Sequence, residues 1–101
     1  MRRDVFQAVA DPTRRAILDL VRMNAMTPST MAAHFGSTRQ AVSKHIHILA
    51  ECGLLNATQN GREIRYHLNV SAMKEMDEWL AQFRSLWEKR FDQLDDLLNK
   101  T

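Results

Sequence analysis

Apolar positions recur along this chain at two different periods, and the switch between them divides it. Between Asp11 and Met23, Ile17, Leu18 and Val21 fall at the spacing that gathers side chains on one face of an α-helix. The start is punctuated: Asp11 caps free amides, and Pro12 suits the first helical position. Thr27-Pro28 repeats that signal ahead of PSTMAAHF, which Gly36 closes, and VFQAVA before Asp11 reads as a short apolar helix of its own. Next comes STRQAVSKHIHILAECGLL, where Ser37 or Thr38 opens a helix over about 38–52 and Gly53 ends it. Val42, Ile46 and Leu49 line one side of that helix, flanked by Thr38 and His45, while Gln40, Ser43, Lys44 and His47 take the opposite side.

After Gly53 the period becomes two. Leu55 and Ala57, then Ile64, Tyr66 and Leu68, share one face, and Glu63, Arg65 and His67 share the other. Asn60-Gly61 between the two runs is a tight-turn signal, so residues 55–68 are expected to form a β-hairpin with Arg62 beside its tip. From Ser71 no Gly or Pro interrupts the chain, which predicts a long helix over about 71–99. Met76, Leu80, Phe83, Trp87, Leu94 and Leu98 make its stripe, widened by Trp79, Leu86 and Phe91. Arg90 breaks the narrow seam, so this is no regular coiled coil.

With 101 residues, 45% of them hydrophobic, and only three Gly and two Pro, the chain fits one domain over 1–101 with no flexible linker. The single Cys52 excludes an internal disulfide framework and suits a reducing compartment. No segment has the apolar length of a signal h-region or a membrane span, and the expected location is cytoplasmic, with no membrane partner. The net charge of +2 is unevenly distributed. Residues 1–50 carry seven basic against three acidic side chains, residues 51–70 balance, and residues 71–101 carry five basic against seven acidic. A basic front with an acidic tail suits a polyanion at one end only.

Three helices, a glycine-containing turn, a donor-rich helix and a hairpin make the layout of a winged helix-turn-helix, a mainly α fold with a small β-hairpin. The donor-rich face carries what reading base edges in a major groove requires. Gln pairs with adenine, Arg or Lys with guanine, and Ser fits several edges. The expected DNA-contacting residues are Ser37, Thr38, Arg39, Gln40, Ser43, Lys44 and His47, with Arg62 and Arg65 on the hairpin as phosphate donors. His45, bordering the apolar ridge, is expected to pack as a hydrogen-bonded residue, Cys52 to pack as a small hydrophobe, and Arg14-Arg15 to face solvent. Trp79, Phe83, Trp87 and Phe91 exceed what so small a domain covers alone. A homodimer interface is therefore expected from Val5, Phe6, Met76, Trp79, Leu80, Phe83, Trp87, Phe91 and Leu94.

The segments FQAVADPTRRAILDLV, STRQAVSKHIHILAECGLL and GREIRYHLN together resemble the ArsR-type family of bacterial winged-helix repressors over about residues 5–70. The resemblance implies a cytoplasmic homodimer that binds a partly palindromic double-stranded DNA operator and represses transcription. It aligns Ser37, Gln40, Ser43 and Lys44 with the family's recognition-helix contacts, and Gly61-Arg62 with the wing tip. Metal-sensing members of that family carry a cysteine pair in the helix before the recognition helix, where this chain has STMAAHFG. Others place histidine-containing pairs on the terminal helix, and residues 71–101 hold no histidine. Neither a metal site nor a cofactor is expected, and no residue pattern names an inducer. A winged helix used only to bind protein is the alternative, but such a face would show apolar anchors where this one shows Gln40, Ser43 and Lys44. An enzyme is not expected, because the chain has no nucleophile with a sequence-evident base and no phosphate-cradling glycine loop.

Overall fold

The computed structural model describes residues 4–99, so Arg2, Arg3 and Lys100, which contribute to the charge asymmetry, lie outside the described residues. The elements run α1 (Val5–Val9), α2 (Pro12–Val21), α3 (Pro28–Phe35), α4 (Arg39–Glu51), β1 (Leu55–Asn60), β2 (Glu63–Leu68), a 3-10 turn (Val70–Met73) and α5 (Lys74–Asn99). Each early helix starts where a side chain satisfies an otherwise orphaned amide. Asp4 accepts from Gln7 N–H at 2.9 Å, and the Gln7 side chain accepts from Asp4 N–H at 3.3 Å, a reciprocal pair that caps α1. Asp11 accepts from Arg14 N–H at 3.0 Å, Thr27 from Thr30 N–H at 3.2 Å, and Thr38, rather than Ser37, from Ala41 N–H at 3.2 Å. Gly36, at φ 59°, ends α3 in the left-handed conformation. Ser37 N–H then bonds Ala32 O at 3.1 Å, and this fixes the tight turn into α4.

The hairpin pairs Leu55 with Leu68 through to Asn60 with Glu63, antiparallel and in continuous register. Its two turn residues are therefore Gly61-Arg62, one position later than the Asn60-Gly61 expected from sequence. Only Gly61, at φ 66°, takes a positive angle there. A glycine confined to the first central position matches a type II′ turn, whereas Asn-Gly at the centre would require two positive angles. Met26 and Tyr66 exchange both backbone bonds, Met26 N–H to Tyr66 O at 3.0 Å and Tyr66 N–H to Met26 O at 2.8 Å. The loop between α2 and α3 thus adds a one-residue third strand and ties the wing to the helices. At the open end of the hairpin, Asn69 donates its side-chain amide to Gly53 O at 2.9 Å and its backbone N–H to Leu54 O at 2.9 Å.

One apolar core lies between the helices and the base of the hairpin. Ile17, Leu18 and Val21 of α2, Met31 of α3, Val42, Ile46 and Leu49 of α4, and Leu54 and Leu55 are buried together. Val5 and Ala8 of α1 close one side of it. No polar side chain is buried among the described residues, so the core carries no desolvation cost that needs a partner. Ile64 departs from the alternation expected of it. It shares a face with Tyr66 and Leu68 but lies near the hairpin tip, past the helices that would cover it, and is exposed. The terminal helix differs from the other α-helices, because none of its residues is buried. At about 1.5 Å per residue its 26 residues span about 39 Å, and the molecule measures 65 × 29 × 24 Å.

Candidate nucleic-acid interface

Helix α4 presents its donor-rich side because Val42, Ile46 and Leu49 anchor the opposite side in the core. Ser37 and Thr38 in the turn, and Arg39, Gln40, Lys44 and His47 on the helix, are exposed, and Ser43 is half-buried. Among the described residues, Arg39, Gln40, Lys44 and Arg62 have no side-chain hydrogen bond or ion pair within the chain. Their exposed polar groups are open to an external ligand. His47 pairs with Glu51 one turn on, Nε2 to Oε1 at 3.1 Å, with its side chain 74% exposed. On the wing, Arg65 pairs with Glu63 at 3.2 Å, while Arg62 at the tip has no partner among the described residues. Arg39, Ser43 and Arg62 line one open cleft of about 470 Å³ between α4 and the wing.

Other sequence candidates fall differently. His45 Nδ1 lies 3.8 Å from Asp11 Oδ2 and 3.5 Å from Arg14 Nη1, which places it between α2 and α4 and away from the exposed face. Arg14 and Arg15 do not simply face solvent. Arg14 donates to Ala8 O at 2.7 Å and Gln7 O at 3.1 Å, and Arg15 donates to Val9 O at 2.7 Å and Ala10 O at 3.2 Å. Together they cap the carbonyl end of α1, whose five residues are too few to hold a helix alone. The sequence signal was the pair of cations just after a short helix, where they meet the negative end of its dipole. His67 lies 3.5 Å from Thr58 Oγ1 across the hairpin.

The expected interface set divides as well. Val5 is only 6% exposed and belongs to the chain's own core, so it offers no surface to a second subunit. The reason is its position on the inward side of α1, which a short apolar sequence does not reveal. Phe6 packs edge-on against Trp79, ring centroids 5.6 Å apart, and Trp79 meets Phe83 at 5.0 Å. Met76 is half-buried at the root of α5, whereas Leu80, Phe83, Trp87, Phe91 and Leu94 remain exposed. Among the described residues no group of three or more His, Cys, Asp or Glu converges on a common point. No helix of the described residues is long and apolar enough to cross a membrane.

A helix-turn-helix with a two-stranded wing and an unpaired donor face on its second helix defines a DNA-binding regulator of the winged-helix class. The family model described as "Helix-turn-helix domain" matches residues 9–57. Transcriptional repressor SdpR of Bacillus subtilis (strain 168) is 35% identical over 80 residues, covering 79% of this chain and 89% of SdpR. HTH-type transcriptional regulator CmtR of Mycobacterium tuberculosis (strain ATCC 25618 / H37Rv) is 47% identical over 62 residues. That match covers 61% of this chain and 52% of CmtR, so the chain spans about half of that relative. The solved structure of an ArsR-like transcriptional regulator from Rhodococcus sp. RHA1 superposes with a TM-score of 0.74 at 29% identity, covering 96% of this chain and 89% of that one. The chain belongs to the ArsR-type family of winged helix-turn-helix transcriptional regulators.

Proposed function

We propose that this chain is a homodimeric transcriptional repressor that binds a partly palindromic operator in the cytoplasm, with α4 in the major groove and the wing along the adjacent backbone. The observation that carries this reading is the α4 face, where Arg39, Gln40 and Lys44 have no partner among the described residues, on a helix whose other side is locked in the core. Gln40 and Lys44 read base edges, with Ser43 and Arg39 beside them. Ser37, Thr38, His47 and the wing arginines Arg62 and Arg65 hold phosphates and fix register. The exposed stripe of α5, with Phe6, pairs two subunits so that their α4 helices meet successive major grooves about 34–36 Å apart. SdpR is named a transcriptional repressor, and the match over 89% of its length supports repression as the outcome here.

The test is fluorescence-anisotropy titration of the protein against its own upstream region and a scrambled duplex across a salt series. Selective binding whose log affinity falls linearly with log salt, by about 0.9 per phosphate contacted, is expected. Equal affinity for the scrambled duplex at every salt concentration would overturn the proposal and favour a protein-binding role for the wing and α4.

A further inference from the structure

Arg14, in the first turn of α2, touches both α1 and α4 with one side chain. Its Nε donates to Ala8 O at 2.7 Å and its Nη2 to Gln7 O at 3.1 Å, which holds the carbonyl end of α1. Its Nη1 lies 3.5 Å from His45 Nδ1, in the middle of α4. The Arg14 backbone N–H is fastened to the Asp11 carboxylate at 3.0 Å. On the far side of α1, Phe6 meets Trp79 of α5, ring centroids 5.6 Å apart. Contiguous contacts therefore run from the open stripe of α5, through α1 and Arg14, to the helix that carries the donor face. No residue of α5 is buried, so that helix joins the body through half-buried contacts near its root, Met76 among them, and through α1. With five residues, α1 is too short to hold its own direction without Arg14 and Arg15.

We infer that Arg14 and His45 are positioning residues, whose contact fixes the direction of α4 relative to α1 and α5 and with it the half-site spacing that a dimer accepts. The inference rests on the reading of a homodimer that binds DNA, and it names the side chains that set the geometry of that dimer. The contact depends on one proton. A neutral imidazole with its hydrogen on Nε2 leaves the Nδ1 lone pair to accept from Arg14. A proton added at Nδ1 takes that lone pair and sets an imidazolium against a guanidinium. The Asp11 carboxylate, with Oδ2 3.8 Å from Nδ1, is then the partner that remains. The His45 side chain is 29% exposed, open enough to exchange a proton with solvent. Other ionisable groups on the elements packed against α4 stand elsewhere. Strand β1 and helix α1 carry none, Asp4 caps the opposite end of α1, and the one on α3 is the exposed His34. Arg15 is held by the Val9 and Ala10 carbonyls, and Asp19 and Arg22 lie on later turns of α2 or at its end. One turn away on α4 itself, Ala41, Val42, Ile48 and Leu49 are uncharged.

The test takes a duplex that the wild-type protein selects from random sequence and remakes it with base pairs added between the half-sites, or with one half-site scrambled. Fluorescence anisotropy gives the ratio of affinities for the selected and altered spacings, in which contacts made within each half-site, those of His47 included, cancel. With His45→Leu, which fills the space but accepts no hydrogen bond, that ratio should fall roughly fivefold or more, the effect of losing one hydrogen bond. Affinity for the single half-site should stay as in the wild type. His45→Asn, whose Oδ1 takes the place of Nδ1, should keep the wild-type ratio. The wild-type ratio should also fall as pH drops from about 8 to about 5, the range in which histidines change charge, while the His45→Asn ratio stays level. An unchanged ratio in His45→Leu overturns the inference. An equal loss on the single half-site does so too, since that is what a damaged fold or a direct DNA contact produces, and so does a His45→Asn ratio as low as that of the leucine variant. If circular dichroism and melting temperature show that His45→Leu does not fold, the pH comparison decides, and parallel profiles for wild type and His45→Asn overturn the inference. A wild-type protein that selects no duplex, or only single half-sites, overturns the reading of a DNA-binding dimer itself, a result obtained before any variant is made.

Discussion

Truncating Trp87 to alanine tests whether the open stripe of α5 joins two subunits. Trp87 is 55% exposed in the single chain, and Phe91, the next aromatic along the stripe, is more open still. A tryptophan side chain has up to about 250 Å² to bury, so about 140 Å² of this one is left for a partner. At about 25 cal/mol per Å², covering that area contributes about 3.4 kcal/mol per subunit. A two-fold interface loses the contribution twice. With only half of each open indole covered, Trp87→Ala costs the dimer about 3 kcal/mol, a dissociation constant raised roughly 150-fold. Sedimentation velocity over a dilution series measures the constant, and circular dichroism verifies that α5 persists, which alanine favours. An unchanged dissociation constant with α5 intact would refute the assignment of this stripe to the interface.

Three further outcomes follow from named contacts. Gln40→Ala should cost about 1–3 kcal/mol on a selected duplex and leave affinity for a scrambled one unchanged, which anisotropy titration reads. Ile46→Ala empties a fully buried site of α4; urea denaturation should show a loss of about 2–5 kcal/mol. The Asp11 carboxylate accepts the Arg14 amide N–H at the start of α2, and this bond holds its pKa below the ordinary 3.8. A depressed folded-state pKa gives stability that is complete above the unfolded value and lost as pH falls through the folded one. The stability difference between wild type and Asp11→Ala, from urea midpoints, should therefore shrink as pH drops below 3.8, and a pH-independent difference would contradict the cap.

The elements that the sequence announced most clearly are those whose signals lie within a few residues of one another. Asp11-Pro12, Thr27-Pro28 and Thr38 start helices through bonds to amides three positions on, and Gly36 and Gly53 stop them through positive backbone angles. The split of α4 into an apolar and a donor-rich side needs only its own periodicity. Turn chemistry was less secure. Asn60-Gly61 and Gly61-Arg62 differ by one residue, and cross-strand pairing chose between them. The last helix begins at Lys74 after a 3-10 turn at Val70–Met73, since Ser71 bonds Asn69 Oδ1 at 2.7 Å instead of capping α5.

By itself, then, the sequence determined the succession of helices and hairpin, the dry and wet sides of α4, and the apolar stripe of α5, because each depends on local spacing and local hydrogen bonds. Only the tertiary structure decided where these elements touch. It paired Met26 with Tyr66 across forty positions of chain, turned Val5 inward, and set Arg14 and Arg15 on the carbonyls of α1. It also left Ile64 uncovered beside Arg39 and Arg62, which makes the cleft. Contacts of that kind arise when buried apolar area draws distant segments together, and a residue's neighbours are then chosen by packing geometry that no short stretch of the chain encodes.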